Sequence, residues 1–96
     1  MNQDQPQQIQ VKASDDDLKG RFSNAANVQR LEDHFLVDFF LTAQPIGQMV
    51  ARIAVTPGHL KRLREAIDVQ LKEYEKKSGK KIDLADEAPT IGFRTP

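Results

Sequence analysis

The sequence predicts an α+β fold, in which an antiparallel sheet of three to four strands is followed by one long amphipathic helix. Residues 34–42 and 48–55 are rich in β-branched and aromatic side chains and flank a turn that contains Pro45 and Gly47, as the strands of a hairpin do. Residues 56–79 then repeat apolar side chains every three or four positions, which is the spacing of one helix face. A chain of 96 residues has room for one core.

The register of this hairpin follows from the need to keep its two faces distinct. If Asp38 lies opposite Arg52, every pair on one face is apolar, and Phe40 lies opposite Val50 on the other face. A slip of one residue would mix the two faces, so the pattern selects this register.

The segment before the hairpin gives weaker signals. Residues 9–13 alternate apolar and polar side chains and predict a strand, and the acidic residues 14–20 predict a solvated loop. Residues 22–31 are compatible with strand or helix, and we favour a strand. Residues 32–34 then predict a tight turn.

The predicted helix has clear start and stop signals. Thr56 is a favourable N-cap, Pro57 fits the first helical position, and Gly79 is a natural end. One face carries a continuous line of apolar side chains, which we call the α-stripe: Leu60, Leu63, Ile67, Leu71 and Tyr74.

The predicted domain organisation has three parts. Residues 1–8 are polar and rich in Gln, which predicts a disordered lead, and residues 9–79 form the single domain. Residues 80–96 predict a flexible or loosely docked tail, in which residues 82–84 add a short strand or dock on the core. Residues 91–94 are either a local apolar collapse or a peptide that binds a partner.

Apolar side chains on both faces of the hairpin predict self-association. One helix covers one face of a sheet, and both faces of such strands are usually covered. We therefore expect a homo-oligomer, with a dimer favoured, in which Asp38 and Arg52 form an ion pair within the second face. The predicted oligomer or partner interface consists of Leu36, Asp38, Phe40, Val50 and Arg52.

Charge and composition argue against several functional classes. The net charge is zero and the chain has no cysteine, which excludes disulfides and thiolate catalysis. His34 and His59 stand in no recognisable catalytic or metal-binding pattern, so we expect no enzymatic activity, no cofactor and no metal site. The sequence has neither a membrane-spanning run nor a signal peptide, which predicts a cytoplasmic protein.

Two segments resemble a known family. The strand Val37-Asp38-Phe39 and the helix start Thr56-Pro57-Gly58-His59 are similar to the small bacterial and archaeal family called domain of unknown function 3467. The resemblance covers residues 9–79 and implies no activity, substrate or site. The order of strands and helix is also similar in outline to the export chaperone SecB, although fold analogy does not transfer function.

These observations together predict a homo-oligomeric binding or adaptor module for a protein partner, in one version a SecB-like holdase that binds non-native chains. The alternative is a nucleic-acid-associated protein that uses the basic side of the helix, with contacts from Lys61, Arg62 and Arg64. Acidic residues interrupt this basic side, so the sequence favours protein binding over nucleic-acid binding.

Overall fold

The computed structural model describes residues 8–43 and 45–86. In chain order its elements are helix α1 (Asp15–Lys19), strands β1 (Ala25–Arg30), β2 (Phe35–Leu41) and β3 (Gln48–Val55), helix α2 (Pro57–Ser78), and a 3-10 turn (Leu84–Asp86). The predicted α+β arrangement of an antiparallel sheet followed by a long helix is confirmed.

The three strands follow each other in the order β1-β2-β3, and each neighbouring pair is antiparallel. β1 and β2 are joined by the predicted tight turn, which the amide of Leu31 closes by donating to the carbonyl of His34 at 2.9 Å. The ambiguous residues 22–31 therefore form a strand, as favoured, although only from Ala25 onwards.

The hairpin register agrees with the prediction up to Phe39 and departs from it afterwards. Asp38 lies opposite Arg52 and Phe39 opposite Ala51, but Phe40 lies opposite Met49. The predicted pairing of Phe40 with Val50 is therefore wrong, because a β-bulge places one extra residue in β3.

The segment before β1 corrects two predictions. Residues 9–13 form no strand, and their apolar side chains are exposed, because alternation within a segment does not by itself bring that segment to a sheet edge. The acidic loop is instead the short helix α1. The Ser14 hydroxyl accepts from the amide of Asp17 at 3.1 Å, while the Asp17 carboxylate accepts from the amide of Ser14 at 3.2 Å. Acidic residues in the first turn of a helix also suit its dipole.

Helix α2 begins and ends where the sequence predicts. The Thr56 hydroxyl accepts from the amide of His59 at 3.1 Å, and Pro57 occupies the first turn. At the other end Gly79 adopts a left-handed backbone with φ of 70°, and its amide donates to the Glu75 carbonyl at 3.0 Å.

The core of the described chain is small and centres on β2. Its buried apolar side chains are Val37, Phe40 and Val55. The predicted strand at residues 82–84 does not form; the amide of Ile82 instead donates to the Glu75 carboxylate at 3.0 Å, which ties this segment to α2. The predictions for the N-terminal lead up to residue 7, and for the tail from residue 87 onwards, lie outside the described residues.

Candidate binding groove

An apolar groove lies between one face of the sheet and the first half of α2. Its volume is about 700 Å³, and it is open along one side. The sheet wall consists of Ala26, Val28, Phe35, Val37 and Phe39, and the helix wall consists of Pro57, Leu60, Lys61, Leu63, Arg64 and Ile67.

The sheet wall follows from strand periodicity. Alternate side chains of a strand point to the same face, and the antiparallel register places Val28 opposite Val37 and Ala26 opposite Phe39. Ile53 of β3 lies opposite Val37 on the other side and extends the same face. This face is therefore mainly apolar across all three strands, and its one charged residue on β1 is Arg30, opposite Phe35.

The helix covers this face only in part. Because α2 begins two residues after β3 ends, its first turns lie close to the sheet, and Leu60 and Leu63 are half-buried. Val28 nevertheless remains 52 % exposed, and Ile53 and Ile67 are about equally exposed. Among the described residues of α2, those that line the groove with the sheet lie between Pro57 and Ile67.

Basic side chains mark the helix side of the groove. Lys61 and Arg64 line it, whereas Arg62 does not. At about 100° per residue, Arg62 points to the far side of the helix. The three proposed nucleic-acid contacts therefore do not form one continuous face, and nucleic-acid binding stays a prediction.

The opposite face of the sheet carries the predicted ion pair. Arg52 donates to Asp38 through Nε at 2.7 Å and through a terminal guanidinium nitrogen at 2.9 Å, a bidentate arrangement. Asp38 is 0 % exposed, whereas the Arg52 side chain reaches solvent. The hydrogen bonds to Asp38 raise the pKa of Arg52 above its ordinary value. Both residues lie in the middle of the sheet, where the register places them.

The other predicted interface residues are distributed unevenly. Leu36 and Phe40 flank Asp38 on the same face of β2, and Val50 lies in the bulge of β3. Leu36 is half-buried. Phe40 is only 6 % exposed in the single chain, whereas a side chain on an uncovered sheet face would be exposed to a larger fraction. The role of these residues as an interface stays a prediction.

Few polar groups converge elsewhere in the described chain. In the turn between β1 and β2, Asp33 and His34 share a hydrogen bond of 2.6 Å, which lowers the pKa of Asp33, and both side chains reach solvent. His59 lies exposed in the first turn of α2. Within residues 8–43 and 45–86, no three metal-binding side chains come together, and no helix is both long and apolar enough to cross a membrane.

The contribution of β1 to the sheet wall is the part of the groove that the sequence does not predict. Ala26 and Val28 alternate with polar residues, which is a signal for one apolar strand face. Their alignment with Phe39 and Val37 could have been read from a β1–β2 register, as the second hairpin was. That register depends on the turn at Leu31–His34, whose length the sequence leaves open.

Comparison with known proteins identifies the chain only at the level of a family. Residues 1–83 match the family described as "Protein of unknown function (DUF3467)". No curated protein and no solved structure matches the chain.

Proposed function

The chain belongs to the DUF3467 family of proteins of unknown function, and we propose that it is a non-catalytic binding module that acts as a homo-oligomer and binds apolar protein segments in its groove. Such a module would hold non-native chains in the cytoplasm, as a holdase does.

The observation that carries this proposal is the exposure of apolar side chains on both walls of the groove. Val28 on the sheet and Ile67 on the helix are each about half exposed, although they line the same concave surface. A contiguous apolar surface of this kind usually marks a site of interaction, because water contact with it is unfavourable.

The chemistry of the lining supports binding rather than catalysis. Among the described residues that line the groove, the only titratable side chains are Lys61 and Arg64, and no carboxylate or imidazole faces them there. General acid–base or nucleophilic catalysis requires converging groups of complementary kind. Two cations beside an apolar surface instead favour an apolar segment flanked by acidic residues.

Suppression of client aggregation tests the proposal. The wild-type protein, in molar excess, is expected to reduce the light scattering of a thermally aggregating model protein. Val28→Asp is expected to abolish this effect, because a carboxylate in the sheet wall opposes burial of an apolar segment.

Ile46→Asp provides the matched control. Ile46 is also an exposed apolar residue, but it lies in the loop between β2 and β3, outside the groove. This variant should suppress aggregation as the wild type does. Failure of the wild type to suppress aggregation, or equal loss in both variants, would contradict the groove as the binding surface.

A further inference from the structure

We infer that a second copy of this chain occupies the groove when no other partner does, and that the two α2 helices then pack antiparallel about a twofold axis. The inference rests on the proposed function, since it names the first occupant of the same groove. It places the interface on α2 rather than on the sheet face of Asp38.

The α-stripe continues beyond the groove. The lining residues of α2 end at Ile67, but α2 continues to Ser78. Leu71 and Tyr74 lie in this second half and are 43 % and 60 % exposed. A helix of 22 residues is roughly 33 Å long, so half of the stripe projects past the wall that the sheet provides.

The spacing of the α-stripe is the same in both directions. Its successive steps are three, four, four and three residues, with Ile67 at the centre. When two such helices run antiparallel, Leu60 of one lies opposite Tyr74 of the other, Leu63 lies opposite Leu71, and Ile67 meets its own copy. A twofold interface requires self-complementarity of this kind.

Charges beside the α-stripe select the antiparallel orientation. At about 100° per residue, four charged residues lie on one flank of the stripe. The two nearer the helix start are basic, Lys61 and Arg64, and the two nearer its end are acidic, Asp68 and Glu75.

In an antiparallel pair, this charged flank of one helix lies beside the same flank of the second copy. Arg64 of one copy then meets Asp68 of the second copy, and Lys61 meets Glu75 of the second copy, each pair occurring twice. A parallel pair would bring opposite flanks together, so these opposite-charge contacts would not form.

Burial also favours α2 over the other sheet face. Asp38 and Phe40 are already buried within the single chain, so an interface there would remove little further apolar surface from water. Leu71 and Tyr74 are 43 % and 60 % exposed, so both still have apolar surface that association can bury.

The first experiment measures the mass of the full chain by light scattering over a range of concentrations. We expect a dimer for the wild type, and a dissociation constant raised at least about tenfold by Leu71→Asp, because the charge would be buried at the helix contact. Val69→Asp is the matched control: Val69 is more exposed than Leu71 and lies on the far side of α2. It should leave the dimer intact, and circular dichroism checks that both variants retain their helix.

The second experiment uses charge reversal to separate contacts between copies from contacts within one helix. In the Arg64→Glu homodimer the new glutamate of each copy faces Asp68 of the other copy. In the Asp68→Arg homodimer the new arginine of each copy faces Arg64 of the other copy. Each variant should therefore dimerise roughly tenfold more weakly than the wild type. An equimolar mixture restores both opposite-charge contacts in a heterodimer while leaving the repulsion within each helix unchanged. The mixture should therefore recover the dimer mass.

The possible results distinguish this inference from the proposed function. A monomeric wild type, equal dissociation by Val69→Asp, or no recovery in the mixture would overturn the antiparallel pairing. Dissociation by Leu36→Asp but not by Leu71→Asp would overturn it in favour of the other sheet face. Client suppression that depends on Val28 can persist in each of these cases, so it tests the groove separately.

Discussion

At the scale of single residues, the bidentate pair between Asp38 and Arg52 defines the register of the hairpin. A buried carboxylate without a partner is strongly unfavourable, and any slip of β3 would separate the two side chains. Such a pair contributes more to specificity than to stability, because burial removes its charges from water. The apolar pattern excludes a slip of one residue, and the polar pair also excludes a slip of two, which would leave every apolar residue on its own face.

Removing only the guanidinium tests this role. Arg52→Met leaves the Asp38 carboxylate buried and unpaired, which should lower the free energy of unfolding by about 3 kcal/mol. The double variant Asp38→Leu with Arg52→Met removes both charges and should recover most of that loss. Urea unfolding measures the difference, with Arg62→Met on the exposed side of α2 as control. Equal losses in the single and the double variant would contradict the account.

At the scale of elements, α2 is specified by its two ends and by one face. The cap at Thr56 and the left-handed Gly79 fix its limits, and the α-stripe fixes the side that approaches the sheet. The second half extends past the sheet because Gly79 ends the helix well beyond Ile67, the last residue of α2 that lines the groove.

Two glycine substitutions separate backbone conformation from packing. A Cβ at Gly79 or at Gly58 meets no atom within 4 Å, but only Gly79 has a positive φ. Gly79→Ala should therefore cost about 1 kcal/mol of unfolding free energy. Gly58→Ala, in the first turn of α2, should add roughly 0.5 kcal/mol. Thermal or urea unfolding of both variants checks this, and a similar change in both would show that φ is not the cause.

The sequence predicts those elements whose signals are local. The caps of α2, the tight turn after β1 and the pairing of Asp38 with Arg52 each depend on few neighbouring residues, and each is confirmed. The helix α1 also has a local signal, because Ser14 and Asp17 have the spacing of a capping box, and these two hydrogen bonds outweigh the mutual repulsion of the acids.

Features that depend on distant parts of the chain could not be read in the same way. Because of the bulge in β3, Met49 lies opposite Phe40 where the pattern predicts Val50. Both residues are apolar, so the apolar pattern does not reveal the shift. Residues 9–13 have strand periodicity, but a strand also needs an edge to pair with. Likewise the α-stripe shows which side of α2 is apolar and not how much of it the sheet covers.

At the scale of the whole molecule, a small core and a large open groove occur together. The described chain buries only three apolar side chains, while apolar residues of all three strands and of α2 remain in contact with water. Domains of this size gain little stability from one core, and association is a common way to add to it. Folding and dimerisation are therefore expected to be linked.

This linkage predicts that thermal stability depends on protein concentration. Because the dimer forms only from folded chains, Tm should rise by roughly 3–5 °C for each tenfold increase in concentration. In Leu71→Asp the Tm should be lower and independent of concentration. Calorimetry across two decades of concentration measures both, and a constant Tm for the wild type would contradict the linkage.

The two edges of the sheet are unequal. Along β3 the bulge interrupts the strand, and Arg21 donates to the carbonyl of Val50 at 3.0 Å, so this edge is a poor template for another strand. In the described chain the outer edge of β1 has no bulge and pairs only with β2 on its inner side. Cross-β aggregation would therefore begin at β1 and add strands in one direction, which gives any fibril seeded by this sheet a single growing end.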